Sequence, residues 1–334
     1  MDRSRKVWIV GALVGALLSP VGAATAEDRE SLGLTASPLH AEEPIRPIPA
    51  PPSQNPALVA LGRQLFLDPI LSRDGTISCA SCHNLDQGGV DGRPHSLGVG
   101  GAEGTANAPT VYNAALNLAQ FWDGRAASLE EQANGPIINP LEMGADWPRL
   151  LTVLSQSHYA RDFQKVFGGE PSADRVRTAL AAFERTLLTT NSRFDRWLAG
   201  DDKALSDDEK RGYALFKSYG CASCHQGANV GGNMFQKFGF MGNWFTDRGG
   251  IKPDDFGRFR ITGREADRFV FKVPSLRLAV MTAPYFHDGS VPTLNEAIKL
   301  MGRYQLGREI PDSDIALIIT FLGSLPGKMA EATP

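Results

Sequence analysis

Cysteine is scarce in this sequence, because its 334 residues include only four cysteines, all within two segments that read CASCH. No thiol is left over for a further disulfide or for a separate reactive site. Basic residues do not exceed acidic ones, and the formal net charge of −3 gives no reason to expect nucleic acid binding. After residue 18 no apolar stretch is long enough to span a membrane. These absences favour a globular protein whose partners are small molecules and other exported proteins.

The first residues have the pattern of a secretion signal. Basic residues are followed by an apolar run over 7–18 and by the small-residue triplet Ala24–Ala26, which is typical of a cleavage site. We therefore predict a signal peptide over 1–26 and a periplasmic mature protein without a membrane span. Residues 27–52 are rich in proline, glutamate and alanine without periodicity, which predicts a flexible, loosely ordered leader.

An internal repeat follows the leader. The pattern GxxLF begins at Gly62 and again at Gly212, and a CASCH segment follows each time. Apolar residues recur at helical spacing in both units, with helix-start signals at Asn55 and Ser206. The repeat therefore predicts an amphipathic helix leading into each cysteine pair.

The rest of the chain is also read as helix and loop. Helical stripes recur between and after the two units, long loops follow both CASCH segments, and no segment alternates convincingly as a strand. We predict a mainly α fold of two domains, 53–200 and 201–334, with a hinge near Gly200.

Each CASCH segment has the residues that attach a haem. In this spacing both thiols can add to the vinyl groups of one haem, while the adjacent histidine binds its iron. Local disulfides or a four-cysteine zinc site are the alternatives, but neither explains why a histidine follows each pair. We predict two covalently bound haem c groups, each in a cytochrome c-like domain. The predicted attachment residues and proximal ligands are Cys79, Cys82 and His83 for haem 1, and Cys221, Cys224 and His225 for haem 2.

Longer segments around these motifs match a known family. They read LSRDG at 71–75, NAPT at 107–110, QFWDGRA at 120–126, EQA at 131–133, NPLEMG at 139–144, APYFHDG at 283–289 and MGRYQL at 301–306. Through these segments the sequence resembles the bacterial dihaem cytochrome c peroxidases, which are related to MauG, over nearly all of the predicted mature chain. A match of this extent is more specific than CxxCH alone, which indicates only a haem.

The resemblance implies that haem 1 is the peroxide site, with Gln132 and Glu142 on its open face. Breaking the O–O bond requires that a proton move from one peroxide oxygen to the other, and a carboxylate above the haem can accept and return it. Glu142 fits that role, and Gln132 can form a hydrogen bond with the bound peroxide. The alternative is structural, with Glu142 capping a loop and Gln132 on a helix surface.

The resemblance also assigns residues to haem 2, which in this family stores and relays electrons. It implies Met301 as the sixth iron ligand, where MauG-type enzymes have a tyrosine, and thioether ligation raises the reduction potential. His287 would pack beside haem 2 and contact a propionate, with direct ligation as the alternative. Trp122 would lie between the two haems and pass electrons, although an ordinary buried tryptophan has the same sequence pattern.

A calcium ion and a dimer are further implications of the family. Asn107, Thr282 and Pro284 match the family's calcium position, which combines one side-chain oxygen with two backbone carbonyls. An ordinary turn at Asn107 is the alternative. Members of the family commonly pair as homodimers, so we expect one here.

One loop departs from the family pattern. Many of these peroxidases have a histidine there that blocks haem 1 until haem 2 is reduced, and the matching residue here is Val99. Valine cannot bind iron, so we expect haem 1 to be five-coordinate or water-ligated at rest and to need little or no reductive activation. His95 could substitute if the glycine-rich loop folds differently.

These assignments predict a periplasmic dihaem peroxidase that reduces hydrogen peroxide to water. A small exported cytochrome c or cupredoxin would supply electrons one at a time, entering at haem 2 and reaching haem 1 by way of Trp122. One alternative is a MauG-like oxidase that acts on a protein side chain, which Met301 argues against. The other is a dihaem electron carrier without catalysis, in which Gln132 and Glu142 would be incidental.

Overall fold

The structure is a computed structural model that describes residue 37 and residues 40–329. The predicted signal peptide, 1–26, lies outside the described residues. So does the part of the predicted leader before residue 40, apart from residue 37. None of the described helices combines the length and the apolar character that crossing a membrane requires. The described chain is mainly helical with one short two-stranded sheet, which confirms the predicted fold class in its coarse form.

Most helices are short, and long loops join them. The α-helices in the described part of the chain are α1 (Pro56–Leu67), α2 (Cys79–Cys82), α3 (Leu129–Ile138), α4 (Trp147–Gln156), α5 (Tyr159–Phe167), α6 (Ala173–Glu184), α7 (Arg193–Leu198), α8 (Asp207–Ser218), α9 (Trp244–Asp247), α10 (Phe259–Thr262), α11 (Leu294–Leu300) and α12 (Asp312–Leu322). A π-helix covers Met301–Leu306. Strands β1 (Phe235–Lys237) and β2 (Val270–Lys272) pair antiparallel, with Phe235 opposite Lys272.

Helix α1 crosses α6 at a glycine in the N-terminal half. Asn55 caps α1 as predicted, because its side-chain oxygen accepts a hydrogen bond from the Ala57 amide at 3.0 Å. Gly62 lies at the crossing point, where a Cβ atom would collide with the Ala179 carbonyl oxygen. The two backbones can therefore approach closely, and Phe66 of the repeat is buried beside them.

The second GxxLF unit repeats this crossing in the C-terminal half. Ser206 and Glu209 form the predicted capping box at the start of α8. Gly212 lies against the Leu317 carbonyl oxygen of α12, where a Cβ atom would again collide. Phe216 is buried, as Phe66 is in the first unit. The repeat in the sequence is therefore a repeat of one helix crossing, placed directly before each CASCH segment.

The described end of the predicted leader is packed against the C-terminal half. Ile45 is at 0% exposure within the C-terminal hydrophobic core. Pro44 and Arg46 form backbone hydrogen bonds with Gly227 on either side of it. This stretch differs from the flexible leader that composition predicts, because isolated isoleucines in a proline-rich segment have no periodicity to detect.

The two hydrophobic cores divide before residue 200. Helix α7 contributes Phe194 and Leu198 to the C-terminal core, whereas Leu187 belongs to the N-terminal core. The chain therefore passes from one core to the other between Leu187 and Phe194. The predicted boundary near Gly200 falls after α7, and the cores place the division ahead of that helix. The signal used for the predicted boundary, Gly200, follows α7, while the residues 187–192 before the helix contain no glycine.

Arg277 joins three segments of the C-terminal half. Its side chain is completely buried and forms an ion pair with Asp195 of α7 at 2.7 Å. It also donates hydrogen bonds to the carbonyl oxygens of Ala228 and Arg46, at 2.7 and 2.8 Å. Loss of one partner of a buried ion pair leaves the other charge without compensation. Arg277 therefore fixes the end of the leader and α7 to the loop after the second CASCH segment.

We expect Arg277→Met to lower the free energy of unfolding by about 3–5 kcal/mol, because the Asp195 carboxylate would stay buried without its partner. Urea denaturation followed by circular dichroism measures this loss. Arg211→Met is the control, since it removes an ion pair with Asp208 in which both side chains are exposed, and it should leave stability nearly unchanged. Equal losses in the two variants would contradict the structural role of Arg277.

Candidate active site

A cavity of about 460 Å³ lies between the two halves of the described chain, within the range of roughly 300–1,000 Å³ that is typical of ligand and cofactor sites. Cys82 and His83 of the first CASCH segment lie on its N-terminal wall, and Phe271 and His287 lie on its C-terminal wall. The structure therefore brings the first CASCH segment together with the predicted peroxide-handling residues. The further predicted site residues that line the same cavity are Asn107, Trp122, Gln132 and Glu142.

His83 is held so that one ring nitrogen can bind a metal. Its Nδ1 lies 3.2 Å from the Gly89 carbonyl oxygen, which leaves Nε2 as the ligand atom. Burial lowers the pKa of His83, so the imidazole is neutral, and the neutral form is the one that binds iron. With Cys82 on the same wall, these residues fit a haem attached to the first CASCH segment.

The second CASCH segment offers the same donor set in the C-terminal half. Burial lowers the pKa of His225 to about 4, so this imidazole is neutral as well. Cys224 Sγ accepts a hydrogen bond from Gln236 Nε2 at 3.8 Å. All four cysteines are free and partly buried in the described structure. Attachment of a haem to each pair stays a prediction.

Glu142 and Gln132 reach the cavity from neighbouring segments. Gln132 lies on α3, and Glu142 lies in the loop that follows this helix. Asn139, the C-cap of α3, donates a hydrogen bond from Nδ2 to Glu142 Oε1 at 2.7 Å. Burial raises the pKa of Glu142, while the Asn139 hydrogen bond and the charge of Arg125 oppose the rise. A carboxyl group in this setting is suited to taking up and returning a proton.

The loop that carries Val99 braces the Glu142 loop. The Val99 amide donates a hydrogen bond to the Glu142 carbonyl oxygen at 2.8 Å, and the Val99 side chain is buried at 2% exposure. Gly98 lines the cavity, whereas His95 has another partner, with its Nδ1 3.1 Å from Glu103 Oε1. Neither side chain at 95 or 99 lies on the cavity wall in the described structure. The open state of haem 1 at rest stays a prediction.

Trp122 is anchored where the two halves meet. Its indole Nε1 donates a hydrogen bond to the Asn107 carbonyl oxygen at 2.9 Å, and its own carbonyl oxygen accepts one from the Lys272 amide of β2 at 2.8 Å. The Asn107 amide in turn donates to the His287 carbonyl oxygen at 2.8 Å. Trp122 is therefore tied to both halves, and its role in passing electrons stays a prediction.

The three residues predicted to bind calcium lie in different surroundings. Asn107 Nδ2 donates a hydrogen bond to the Arg93 carbonyl oxygen at 2.9 Å, so Asn107 Oδ1 is available for a cation. Thr282 lies beside Gly88, and Pro284 follows a cis peptide bond. None of these contacts connects Asn107 with Thr282 or Pro284, and the calcium site stays a prediction.

His287 has an acidic partner within the protein. It lines the cavity beside the first CASCH segment, and its Nε2 lies 2.8 Å from Asp255 Oδ1. Asp255 and Asp288 also pair with the buried guanidinium of Arg248. The predicted position of His287 beside haem 2 and its contact with a propionate stay predictions. Sequence analysis missed Asp255 and Arg248 because no motif links them to the distant His287.

Met301 begins the π-helix in the half that also contains His225. Helical turns of this type are frequent at functional sites. Tyr304 of the same turn donates a hydrogen bond to Asp247 Oδ2 at 2.9 Å, and Gly302 packs closely against Ile310. The turn is therefore held in place by contacts of Tyr304 and of Gly302. Ligation of one iron by Met301 and His225 stays a prediction.

Sequence analysis assigns no role to Asn139 or Glu184, although both line the cavity. Asn139 begins the NPLEMG segment, and its proximity to Glu142 could be expected from that spacing. Glu184 ends α6 directly after the buried Leu180 and Phe183. An acidic residue that continues a buried apolar stripe is unusual, and this signal could have identified Glu184.

Comparison with known proteins places the chain in a family. A family model described as di-haem cytochrome c peroxidase matches residues 56–203. The cytochrome c551 peroxidase of Nitrosomonas europaea is 49% identical over 295 residues, which cover 88% of this chain and 87% of that protein. The chain belongs to the dihaem cytochrome c peroxidase family. This confirms the resemblance seen in the sequence, and the enzyme class of the chain is that of a peroxidase.

Two further relatives extend the comparison. The cytochrome c peroxidase Ccp of Escherichia coli is 47% identical over 293 residues, and the match covers 87% of this chain but 63% of that longer protein. A solved MauG-like protein associated with microbial copper homeostasis has a TM-score of 0.76 at 28% identity, with 86% of this chain and 94% of that chain covered. The family implies two haem groups.

We expect Gly98→Ala to displace the loop that carries Glu142. A Cβ atom at this position would collide with the carbonyl oxygens of Leu141 and Glu142, although the backbone angles of Gly98 suit any residue. Overpacking of this kind costs about 1–3 kcal/mol. Urea unfolding measures the loss of stability, and a crystal structure of the variant measures the shift of the loop.

Gly104→Ala in the same loop is the matched control. The nearest atom to a Cβ there is the Ser96 carbonyl oxygen at 3.5 Å, which is an ordinary contact. This variant should keep the wild-type stability and loop position. If the two variants behave alike, the close packing of Gly98 on the Glu142 loop is not what positions that loop.

Proposed function

We propose that this protein is a periplasmic dihaem peroxidase that reduces hydrogen peroxide to water. The observation that carries the proposal is the convergence of Glu142 and Gln132 on the cavity that Cys82 and His83 line. A proton-transferring carboxyl group and a neutral amide beside an iron ligand are the groups that cleavage of peroxide requires. The names of the relatives from Nitrosomonas europaea and Escherichia coli support the same activity.

Four residues of the cavity, His83, Gln132, Asn139 and Glu142, have a proposed part in the reaction. Haem c, attached through Cys79 and Cys82 and ligated by His83, would supply the iron at which peroxide binds and is reduced. Glu142 takes a proton from one oxygen of the peroxide and returns it to the other as the O–O bond breaks. Asn139 holds Glu142 Oε1 in position at 2.7 Å for this transfer. The Gln132 amide orients the peroxide through a hydrogen bond without changing its own charge.

The C-terminal half has the proposed role of electron entry. Cys221, Cys224, His225 and Met301 would hold the second haem, which would store electrons from a small exported cytochrome c or cupredoxin. Trp122 is the proposed path for electrons, because it lies on the cavity wall and is hydrogen-bonded to β2 of the C-terminal half.

Three further parts of the proposal rest on the family likeness and on the sequence. Calcium would bind through Asn107, Thr282 and Pro284, near the chain segments that hold Trp122 and His287 in place. Export to the periplasm would follow from the signal peptide over 1–26. The mature protein would pair as a homodimer.

A MauG-like oxidase acting on a protein side chain is the second candidate function. The likeness to the solved MauG-like protein, at a TM-score of 0.76, favours it. Met301 favours a peroxidase, because MauG-type enzymes have a tyrosine in its place. Turnover of hydrogen peroxide with a reduced cytochrome c separates the two, since only the peroxidase consumes the small donor stoichiometrically.

We expect Glu142→Gln to lower peroxidase turnover by about 10²-fold or more, because the amide cannot accept a proton. Steady-state oxidation of reduced cytochrome c by hydrogen peroxide measures the loss. Burial raises the pKa of Glu142, and its charged form acts as the base, so wild-type turnover should fall as the pH drops through that pKa. The residual turnover of Glu142→Gln should lack this acidic limb.

Glu131→Gln is the control for this variant. Glu131 lies on the same helix but is exposed, and its role as acceptor for the Ala127 amide is one that glutamine can keep. Its turnover and pH profile should match those of the wild type. If Glu142→Gln also retains wild-type turnover, Glu142 is not the proton carrier.

We expect the fully oxidised protein to react with hydrogen peroxide about as fast as the half-reduced protein. Val99 cannot bind iron, and His95 is paired with Glu103 instead of lining the cavity. Stopped-flow absorbance on the two redox states measures the rates, and electron paramagnetic resonance of the oxidised protein reports the ligands of haem 1. An inert oxidised state beside a reactive half-reduced state would contradict the open haem 1. Inertness of both states would overturn the peroxidase proposal.

A further inference from the structure

Glu184 is a buried acid in the cavity for which the proposed reaction has no role so far. It is the last residue of α6, it is at 6% exposure, and it lines the cavity together with His83, Gln132 and Glu142. Within the described chain its carboxyl group has no hydrogen bond and no ion pair. A buried carboxyl without such partners costs free energy, so a function that needs it there is the simplest reason for its presence.

The charged groups around Glu184 lead from the cavity to the surface. The next residue, Arg185, forms an ion pair at 2.7 Å with Glu130 of α3, and both side chains of this pair are about one-third exposed. Glu184 also lies close enough to Cys79 to raise the pKa of its thiol, an effect second only to that of burial. Glu142 raises the same pKa more weakly. Glu184 is therefore within electrostatic reach of both a partly exposed ion pair and the Cys79 thiol.

The environment of Glu184 keeps it protonated near neutral pH. Burial raises the pKa of Glu184 to about 8, with Arg185 lowering it and Glu130 raising it further. Among the other ionisable groups on the cavity wall, Glu142 has Asn139 as a hydrogen-bond donor and His83 is paired with Gly89. The remaining ones are Cys82, Asp123, Arg125, Asp254, Arg260 and His287. At a pH at which Glu142 accepts a proton, Glu184 can therefore release one.

The proposed reaction needs protons from outside the cavity. Reduction of one hydrogen peroxide to two waters takes up two electrons, supplied by the one-electron donor, and two protons. Glu142 only moves a proton from one peroxide oxygen to the other, so it supplies neither of these two protons. Both protons must therefore reach the cavity from solvent.

We propose that Glu184 is the proton-relay residue that connects the exposed Glu130–Arg185 ion pair with the cavity. In each transfer the Glu184 carboxylic acid releases its proton towards the peroxide site, and its carboxylate then takes one from water near Glu130. No bond other than O–H changes at Glu184, and its charge returns to zero after each cycle. This inference rests on the proposed peroxidase function.

The test compares Glu184→Gln with the wild-type holoenzyme. Infrared difference spectra between oxidised and reduced protein should show, in the wild type, a carboxylic acid C=O band that shifts in D₂O, and this band should be missing in Glu184→Gln. Peroxidase turnover at neutral pH should fall about tenfold or more, with a larger solvent isotope effect, because proton delivery becomes slower. Haem content and circular dichroism establish that the variant is folded and loaded.

Two further variants separate a relay from a structural role. Glu184→Asp keeps the carboxyl group and should keep both the band and at least part of the turnover, even if Glu184→Gln folds poorly. Glu170→Gln removes an exposed acid just before α6 and should match the wild type in every measurement.

The outcomes are distinct for the two proposals. Wild-type turnover together with an unchanged isotope effect in Glu184→Gln would overturn the relay and leave the peroxidase function intact, as would a band that persists in this variant. A wild-type holoenzyme that does not turn over peroxide would overturn the peroxidase function, and the relay with it.

Discussion

Two helix crossings closed by glycine determine where the chemistry can take place. Gly62 lets α1 lie against the backbone of α6, and Gly212 lets α8 lie against α12. Because each crossing directly precedes a CASCH segment, the spacing of the helices fixes the position of the attachment cysteines. In the N-terminal half α6 also ends at Glu184, so a single crossing positions both the first CASCH segment and a buried acid on the cavity wall.

The cavity depends on the C-terminal half as much as on the N-terminal half. His287 reaches it from a loop of the C-terminal half, and the Asp255 carboxylate, itself held by Arg248, pairs with its Nε2. The Lys272 amide of β2 holds the Trp122 carbonyl oxygen, so the proposed electron path is fixed to the sheet of the other half. Relative movement of the halves would therefore disturb the wall of the cavity directly.

Local motifs allowed most of the site to be predicted from the sequence, while residues joined only by the fold were missed. Cys82, His83, Gln132 and Glu142 lie within short segments whose spacing carries chemical meaning, and the structure brings these four residues to one cavity. Ile45 is buried by a segment more than 180 residues away in sequence, at Gly227, and nothing in its own neighbourhood signals this.

The same limit applies to the partner of His287 and to the division of the cores. Asp255 pairs with His287 from a loop that has no motif of its own. Helix α7 packs into the C-terminal core through Phe194 and Leu198, and its Asp195 pairs with Arg277, a contact that bridges 82 residues of sequence. Pattern and spacing predict what lies within one segment, whereas contacts between distant residues exist only in the fold.

Differences in burial and in hydrogen bonding distinguish two acids in one cavity, Glu142 and Glu184. Burial raises the pKa of both, and Glu184, whose pKa rises to about 8, is the more completely buried of the two. Asn139 donates a hydrogen bond to Glu142 and stabilises its charged form, whereas Glu184 has no such donor in the described structure. A base and an acid can therefore coexist at one pH beside the same substrate, which is the condition for returning a proton at one group while supplying a new one from the other.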